Sequence, residues 1–287
     1  MTVLDHKIDF AVVLSVKKAN PNGDPLNGNR PRQTYDGYGE ISDVAIKRKI
    51  RNRLQDMGEN IFVQSNDRNN DGFQSLKERM ESVPELKKIA NSKNGSMDEF
   101  AKIACQKWID VRSFGQVFAF KDTQGGAGVS VGIRGPVTIH TATSVDPIDI
   151  TSIQITKSVN SEPGNIRGSD TMGMKHRVDF GLYVFYGSIN TQLAEKTGFT
   201  TEDAKKIKQA LITLFENDAS SARPDGSMEV IKVIWWEHKT KLGQYSSAKV
   251  HRSLEIKPKV DHPKSFEDYE IIVHELNGLR AEVIDGI

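Results

Sequence analysis

Few residues in this chain of 287 have the type and spacing to do chemistry, and each group points to a definable reaction or contact. Asp24 lies in NPNGDPLNGNRPR, after Asn22 and Gly23 and ahead of Arg30 and Arg32. A carboxylate placed there could hold a divalent metal for phosphodiester cleavage. The preferred reading is an Asp that fixes an NGDP turn through its own backbone amides. Asp67, Asn69, Asp71, Gly72 and Glu78 satisfy the spacing of a calcium loop. The preceding IFVQSN is not helical in pattern, and Gln74 stands where such loops carry an apolar residue. An Asn/Asp-rich turn capping a helix from near Ser75 is therefore preferred, and no metal is expected.

The remaining chemistry is thinner. Gly126, Gly128 and Gly132 form GxGxxxG, one residue longer than the dinucleotide fingerprint, and the stretch Gly125–Gly135 lacks the GK[ST] ending of a P-loop. These glycines read as places where another backbone approaches closely, with Arg134 as a phosphate contact. Cys105 shares an apolar helical pattern with Phe100, Ile103, Ala104 and Trp108 and reads as a buried small hydrophobe, not a nucleophile. The seven histidines show no HxH or HExxH spacing, and no GxSxG elbow occurs. No cofactor is expected.

Cations carry the clearest pattern. Formal net charge is only +1, from 39 Lys and Arg against 38 Asp and Glu, which excludes a uniform polycationic coat but leaves room for a basic groove. Residues 46–55, IKRKIRNRLQ, hold five cations and no anion. Residues 239–259 hold six cations against Glu255, and the last 27 residues hold seven acids against Lys264 and Arg280. Together with an Asn/Gly/Arg loop and the methionine-bearing segment SEPGNIRGSDTMGMK, this suits sequence-independent gripping of a nucleic-acid backbone: cations neutralise phosphates while apolar tips splay bases.

The elements that must position these groups follow from periodicity. Ile8, Phe10, Val12, Leu14 and Val16 alternate, so residues 8–17 form a strand with one apolar face. Ser42 caps a helix to about Met57, with Ile46, Ile50, Leu54 and Met57 inward and Gly58 as the stop. In that helix Lys47 with Arg51 and Lys49 with Arg53 stand four apart and form ridges beside the apolar stripe. Residues 60–110 are polar and mostly helical, an insertion. Residues 111–120 read as a strand, 136–158 as one or two strands, 161–175 as a protruding loop, 176–189 as a central strand and 229–236 as another. A helix with a Thr200–Asp203 capping box runs to about Asn217. The order predicts an α+β fold, a ferredoxin-like sandwich carrying insertions. One cysteine allows no intrachain disulfide, and no apolar run reaches the roughly 18 residues of a membrane span. With no signal-peptide pattern at the N-terminus, a cytoplasmic protein without membrane contact is expected.

Five ordered segments, ANPNGDP, SDVAIKRKIR, DVRSFGQVFA, VGIRGPVTIH and GSDTMGMKHRVDFGLYVFYGSI, resemble the backbone subunit of the type I CRISPR Cascade complex in the RAMP superfamily, most closely its type I-C (Csd) branch. The resemblance implies a modified RNA-recognition-motif palm with a helical finger and a thumb loop. The palm would comprise residues 1–59, 111–160 with the glycine-rich loop, and 176–260. The finger would be 60–110, the thumb tip 161–175, and 261–287 an acidic C-terminal segment. Copies would line a CRISPR guide RNA as a helical filament, present it to target DNA, and associate with other Cascade subunits and a recruited helicase-nuclease. The subunit itself would be a scaffold without catalysis; related type III subunits cut RNA with a loop aspartate, here matched by Asp24. The family's helix signature places Ser42, Lys47, Arg48 and Arg51 on the guide, the last through the ridge it shares with Lys47. Its thumb corresponds to Met172, Met174 and Lys175; Arg30, Arg32 and Arg134 follow by position.

Overall fold

The computed structural model describes residues 2–92, 95–120, 129–156 and 172–287. Gly126, Gly128 and most of the expected thumb tip lie outside the described residues.

Strand β1 (Ile8–Ala19) leads through the short pair β2 (Gly23–Asp24) and β3 (Arg30–Pro31) to β4 (Tyr38–Ile41) and helix α1 (Asp43–Asp56). Four helices follow: α2 (Leu76–Glu81), α3 (Pro84–Asn91), α4 (Met97–Lys107) and α5 (Ile109–Phe114). Strands β5 (Gly115–Phe120) and β6 (Val129–Arg134) pair with each other, and β7 (Val137–Ile139), β8 (Ala142–Pro147) and β9 (Ile150–Thr156) precede the long β10 (Met172–Ile189). Then come α6 (Thr191–Thr197), α7 (Thr201–Ile212), β11 (Met228–Glu237), α8 (Ser247–His251), β12 (Leu254–Pro258), β13 (Tyr269–Val273) and β14 (Ala281–Asp285).

The main sheet has the order β14-β11-β1-β10-β8-β4, with β7 and β9 also pairing with β10, and its pairings are antiparallel. Helices α1 and α7 cover one face. There the alternating residues of β1 meet Ile46, Ile50 and Leu54 of α1 and Ile207 and Leu211 of α7. Phe10 stacks on Trp235 with ring centroids 5.5 Å apart, an arrangement worth about 1 kcal/mol beyond the area it buries.

The strand was expected to bury one face; it buries both. Ala11 and Val13 lie under Val250, Leu254, Tyr269 and Leu279, so the C-terminal segment seals the second sheet face. Asp9, also on that face and fully buried, accepts from His238 Nε2 at 2.8 Å and faces Lys7 Nζ at 3.0 Å. A polar residue in the alternation thus marked a buried hub, not solvent exposure.

A further core lies in the insertion. Phe62, Met80, Leu86, Phe100, Ala104, Cys105 and Trp108 pack with Phe118, Val129 and Val131 of the β5–β6 hairpin. Cys105 is buried, and burial pushes its thiol up to about 11, so the expectation of a small core residue matches its surroundings. The strand expected over 111–120 begins only at Gly115, because Ile109–Phe114 continues the helical insertion. Gly115 has φ of +80°, and a Cβ there would lie 2.3 Å from the Ile133 carbonyl oxygen, so only glycine makes this corner.

The Thr200–Asp203 capping box forms as expected, although the helix ends at Ile212, short of Asn217. Asp203 also accepts from Arg112 Nε at 2.9 Å and Nη2 at 2.7 Å, tying α5 to α7. Burial alone would raise its pKa; donation and charge from Arg112, with the Thr200 amide, outweigh it and hold the carboxyl below its usual value. Among the described residues no helix is long and apolar enough to cross a membrane.

Candidate nucleic-acid interface

Both faces of the sheet are covered near β1, so a polymer ligand must use the loops, the helix ends and the strand that projects past the sheet. The Asn/Gly/Arg loop is the junction of these parts. Ser42 caps α1 by accepting from Ala45 N at 3.3 Å, and its own amide donates to Asn22 Oδ1 at 2.9 Å. At the other end of the loop Arg30 Nη1 donates to Ser152 Oγ of β9 at 2.8 Å. One irregular segment thereby joins the N-terminus of the basic helix, where unpaired amides favour an anion, to the root of the β9–β10 arm.

In that arm Met172 pairs with Thr156, Met174 with Gln154 and His176 with Ser152. Directly paired residues share a face of a strand pair, so Met172, Met174 and His176 form one stripe, while Lys175 lies on the opposite face with Ile153 and Ile155. Met172 and Met174 are 60% and 54% exposed, high values for apolar side chains. The four residues Met172–Lys175, expected in a loop, extend the strand instead.

Helix α1 distributes its cations unevenly. A helix advances about 100° per residue, so five cations in seven positions cannot share one solvent face. Arg48 is the most exposed of those with partners, its side chain 59% accessible and facing Asp67 Oδ1 at 3.0 Å. Lys47 pairs with Asp43 one turn earlier at 2.9 Å. Lys49 is buried against Asp218, and Arg53 Nε donates to Thr213 Oγ1 at 2.6 Å. Arg51 turns inward to the fully buried Asp110 at 2.9 Å and lies over the Phe114 ring. The ridges expected beside the apolar stripe are therefore split: Lys47 stays near the surface while Arg51 clamps α1 to the insertion.

A polar cleft of about 790 Å3 opens beside α1. Asn22, Asn29, Arg48, Lys49, Arg68 and Arg223 are among its walls. Sequence reasoning did not single out Lys49, Arg68 or Arg223 as site residues. For Lys49 the signal was present in the KRKIR run; Arg68 and Arg223 reach the cleft through contacts remote in sequence, Arg68 Nη1 donating to Asp56 at 2.6 Å.

Asp24 occupies the turn that its sequence suggested. Its Oδ1 accepts from Leu26 N at 3.2 Å, capping a single 3-10 turn, and lies 3.6 Å from Arg32 Nη2. The Asp67–Glu78 segment likewise forms a turn. Asp71 is held by Arg79 Nε and Nη2 at 2.6 and 2.8 Å, and these donors keep its carboxyl below the usual carboxylate range. Asn69 Oδ1 accepts from Gly72 N, and Glu78 accepts from Gln74 N just before α2. Arg134 stands at the end of β6, opposite Gly115, exposed but on the hairpin of the insertion core and not in the loop cluster. The structure thus gathers Ser42, Arg30, Arg32 and Asp24 around one loop, ties that loop to the root of the arm that carries Met172 and Met174 further out, places Arg48 on the cleft next to it, and leaves Arg51 and Arg134 elsewhere.

Residues 6–274 match the family model described as CRISPR-associated protein Cas7. A CRISPR-associated protein Cas7 of Haloferax volcanii is 24% identical over 235 residues, covering 77% of this chain and 67% of the relative. Two solved chains cover 80% of this one. The first, from a CRISPR RNA-guided surveillance complex, pre-nicking, has a TM-score of 0.46 and 16% identity over 75% of its own length. The second, from a CRISPR RNA-guided surveillance complex, has a TM-score of 0.43 and 14% identity over 68% of its length. With 269 of its 287 residues spanned by the family model, the chain belongs to the Cas7 family of CRISPR-associated proteins.

Proposed function

We propose that this chain is a guide-RNA-binding backbone subunit of a CRISPR surveillance complex. Copies assemble along the guide, hold it by its phosphates and leave its bases available to target DNA. The observation that carries this reading is the loop of residues 20–32, which links the N-cap of α1 through Asn22 and Ser42 to the arm through Arg30 and Ser152. Such a layout suits backbone gripping with apolar intrusion between bases, because the cations carry no base information and the methionines carry no charge. Base pairing then supplies sequence recognition, as in other RNA-guided effectors.

Finer assignments rest on the same reading. The strands β11-β1-β10-β8 with α1 and α7 follow the βαββαβ order of a ferredoxin-like palm. The insertion with its own core serves as the finger, with the β5–β6 hairpin added to residues 60–110 because it shares that core. The β9–β10 arm serves as the thumb. Ser42, Lys47, Arg48, Arg30, Arg32 and Lys175 contact the guide, Met172 and Met174 meet its bases, and Arg51 contributes by holding α1 in place. The type I-C branch is the assignment that the five ordered sequence segments support, with a recruited helicase-nuclease as the cutting partner and the bacterial or archaeal cytoplasm as the compartment. A scaffold role accords with the use of Asp24 in its own turn; the alternative, a metal-dependent RNase using Asp24, is not favoured.

Purification tests the proposal directly. The protein should elute as a large assembly carrying RNA of defined length. Elution as a free monomer without RNA, when expressed with a CRISPR array and its companion subunits, would refute it.

A further inference from the structure

We propose that Ser152 and His176 complete, with Arg30, a phosphodiester-binding site at the root of the β9–β10 arm, in which neutral His176 presents its Nε2–H to a phosphate oxygen. The inference rests on the guide-RNA reading above and adds a site to it. Arg30 Nη1 and His176 Nδ1 each lie 2.8 Å from the same atom, Ser152 Oγ. These three residues come from β3, β9 and β10, so the tertiary fold alone brings them together. Guanidinium can only donate, so the serine oxygen accepts from Arg30. In the proposed site its single hydroxyl proton goes to His176 Nδ1, 2.8 Å away. In that arrangement Nδ1 acts as acceptor and the ring proton resides on Nε2, leaving that N–H as a donor beside the unspent guanidinium hydrogens of Arg30.

Position gives this donor its ligand. His176 continues the Met172–Met174 stripe, each two residues apart on one face of the arm. A strand of RNA whose bases meet the exposed methionines must pass its backbone near one end of that stripe. At the arm's root it finds a cation, a neutral donor and no carboxylate among the groups bonded to them. Lys175 and Arg177 fall on the opposite face, where Arg177 faces Asp179 at 3.7 Å, so they do not enter this site. A planar fork plus one fixed N–H matches the oxygens of a phosphodiester, and the serine keeps the two donors at a set separation.

The test uses the protein assembled on its guide RNA, with the salt dependence of RNA release followed for wild type, R30A, S152A, H176N and H176Q. Asn can reproduce the Ser152 contact but does not reach the Nε2 position, whereas the longer Gln side chain places an amide N–H there. R30A should lower the slope of log affinity against log salt by about 0.7 per copy, the value for one single-strand phosphate contact. H176N should weaken binding by about tenfold at an unchanged slope, as expected for loss of one neutral donor to a charged acceptor. H176Q should stay within about threefold of wild type, and S152A should fall between them. Ethylating the contacted guide phosphate should erase the difference between wild type and H176N. The site is overturned if H176N and S152A both bind like wild type, or if H176N lowers the slope as a cation would. Failure of the underlying reading is separate: a variant with R30E and R48E would then bind guide RNA as tightly as wild type.

Discussion

Arg51 donates from Nε to Oδ2 of Asp110 at 2.9 Å, with Asp110 fully buried and only 14% of the arginine side chain accessible. The same carboxylate accepts from the amides of Phe62 and Val63 at 2.8 and 3.1 Å. One ion pair therefore joins the basic helix, the start of the insertion and the first turn of α5. In a helix this rich in cations, the side chain that shares a ridge with Lys47 is a structural bolt.

R51A is expected to lower stability by about 3 kcal/mol, because removing one partner strands a buried carboxylate. Asp110 retains its two amide donors, which limits the loss. Chemical denaturation should show the shift, and R51K should recover only part of it, since lysine lacks the planar fork that also lies over Phe114. A variant as stable as wild type would remove the bolt.

R48A is expected to behave in the opposite way. Its pair with Asp67 is exposed on both sides, and such pairs contribute about 0–1 kcal/mol. Melting should hardly move, while guide-RNA affinity falls uniformly across sequences and the salt slope drops by about 0.7. Unchanged salt dependence would take Arg48 off the guide.

Lys49 gives a pH signature. Burial lowers its pKa, opposed by the Asp218 charge and reinforced by nearby Arg223, to about 8. In the unfolded chain a lysine titrates near 10.4. Between these values the unfolded state binds more protons than the folded one, so this residue's contribution to stability rises with pH across roughly 8 to 10.4. Below that window the buried charge is fully costly. Relative to K49M, the wild type should gain stability from pH 7.5 to 9.5; parallel curves would place Lys49 in contact with water.

Replacing Met172 and Met174 together with serine should leave folding intact, because both side chains are largely exposed. Guide RNA should remain bound through its phosphates, but the periodic pattern of base reactivity to chemical probes should flatten across the assembled guide. A retained pattern would assign base displacement to another part of the arm.

Acid should expose the seam between α5 and α7. Asp203 has a folded pKa below its unfolded value, so its stabilising contribution is present above about 3.9 and is lost as pH falls through the lower folded value. D203N should lower stability at pH 7 and reduce the acid-dependent loss seen in wild type by equilibrium denaturation at pH 3 to 6.

Local features were legible in the sequence wherever one short segment settles its own conformation. Ser42 and Thr200 cap helices because a hydroxyl needs only an amide two or three residues on, and Asp24 fixes its turn for the same reason. Alternation predicted β1, and the spacing of Ile46, Ile50 and Leu54 predicted the inward stripe of α1. Periodicity failed at 111–120, where a short apolar run fits helix or strand equally and the conformation is decided by packing against Phe62 and Trp108. Side-chain destinations were beyond the sequence altogether. The run IKRKIRNR specifies five cations, yet whether each meets solvent, Thr213, Asp110 or Asp218 depends on elements up to about 170 residues away. The chain alone determined its family, its α+β elements and its store of phosphate-binding groups. Only the tertiary structure decided which cations remain free to bind and which hold the fold, because a charge near a helix's buried stripe is claimed by whichever carboxylate the packing brings within reach.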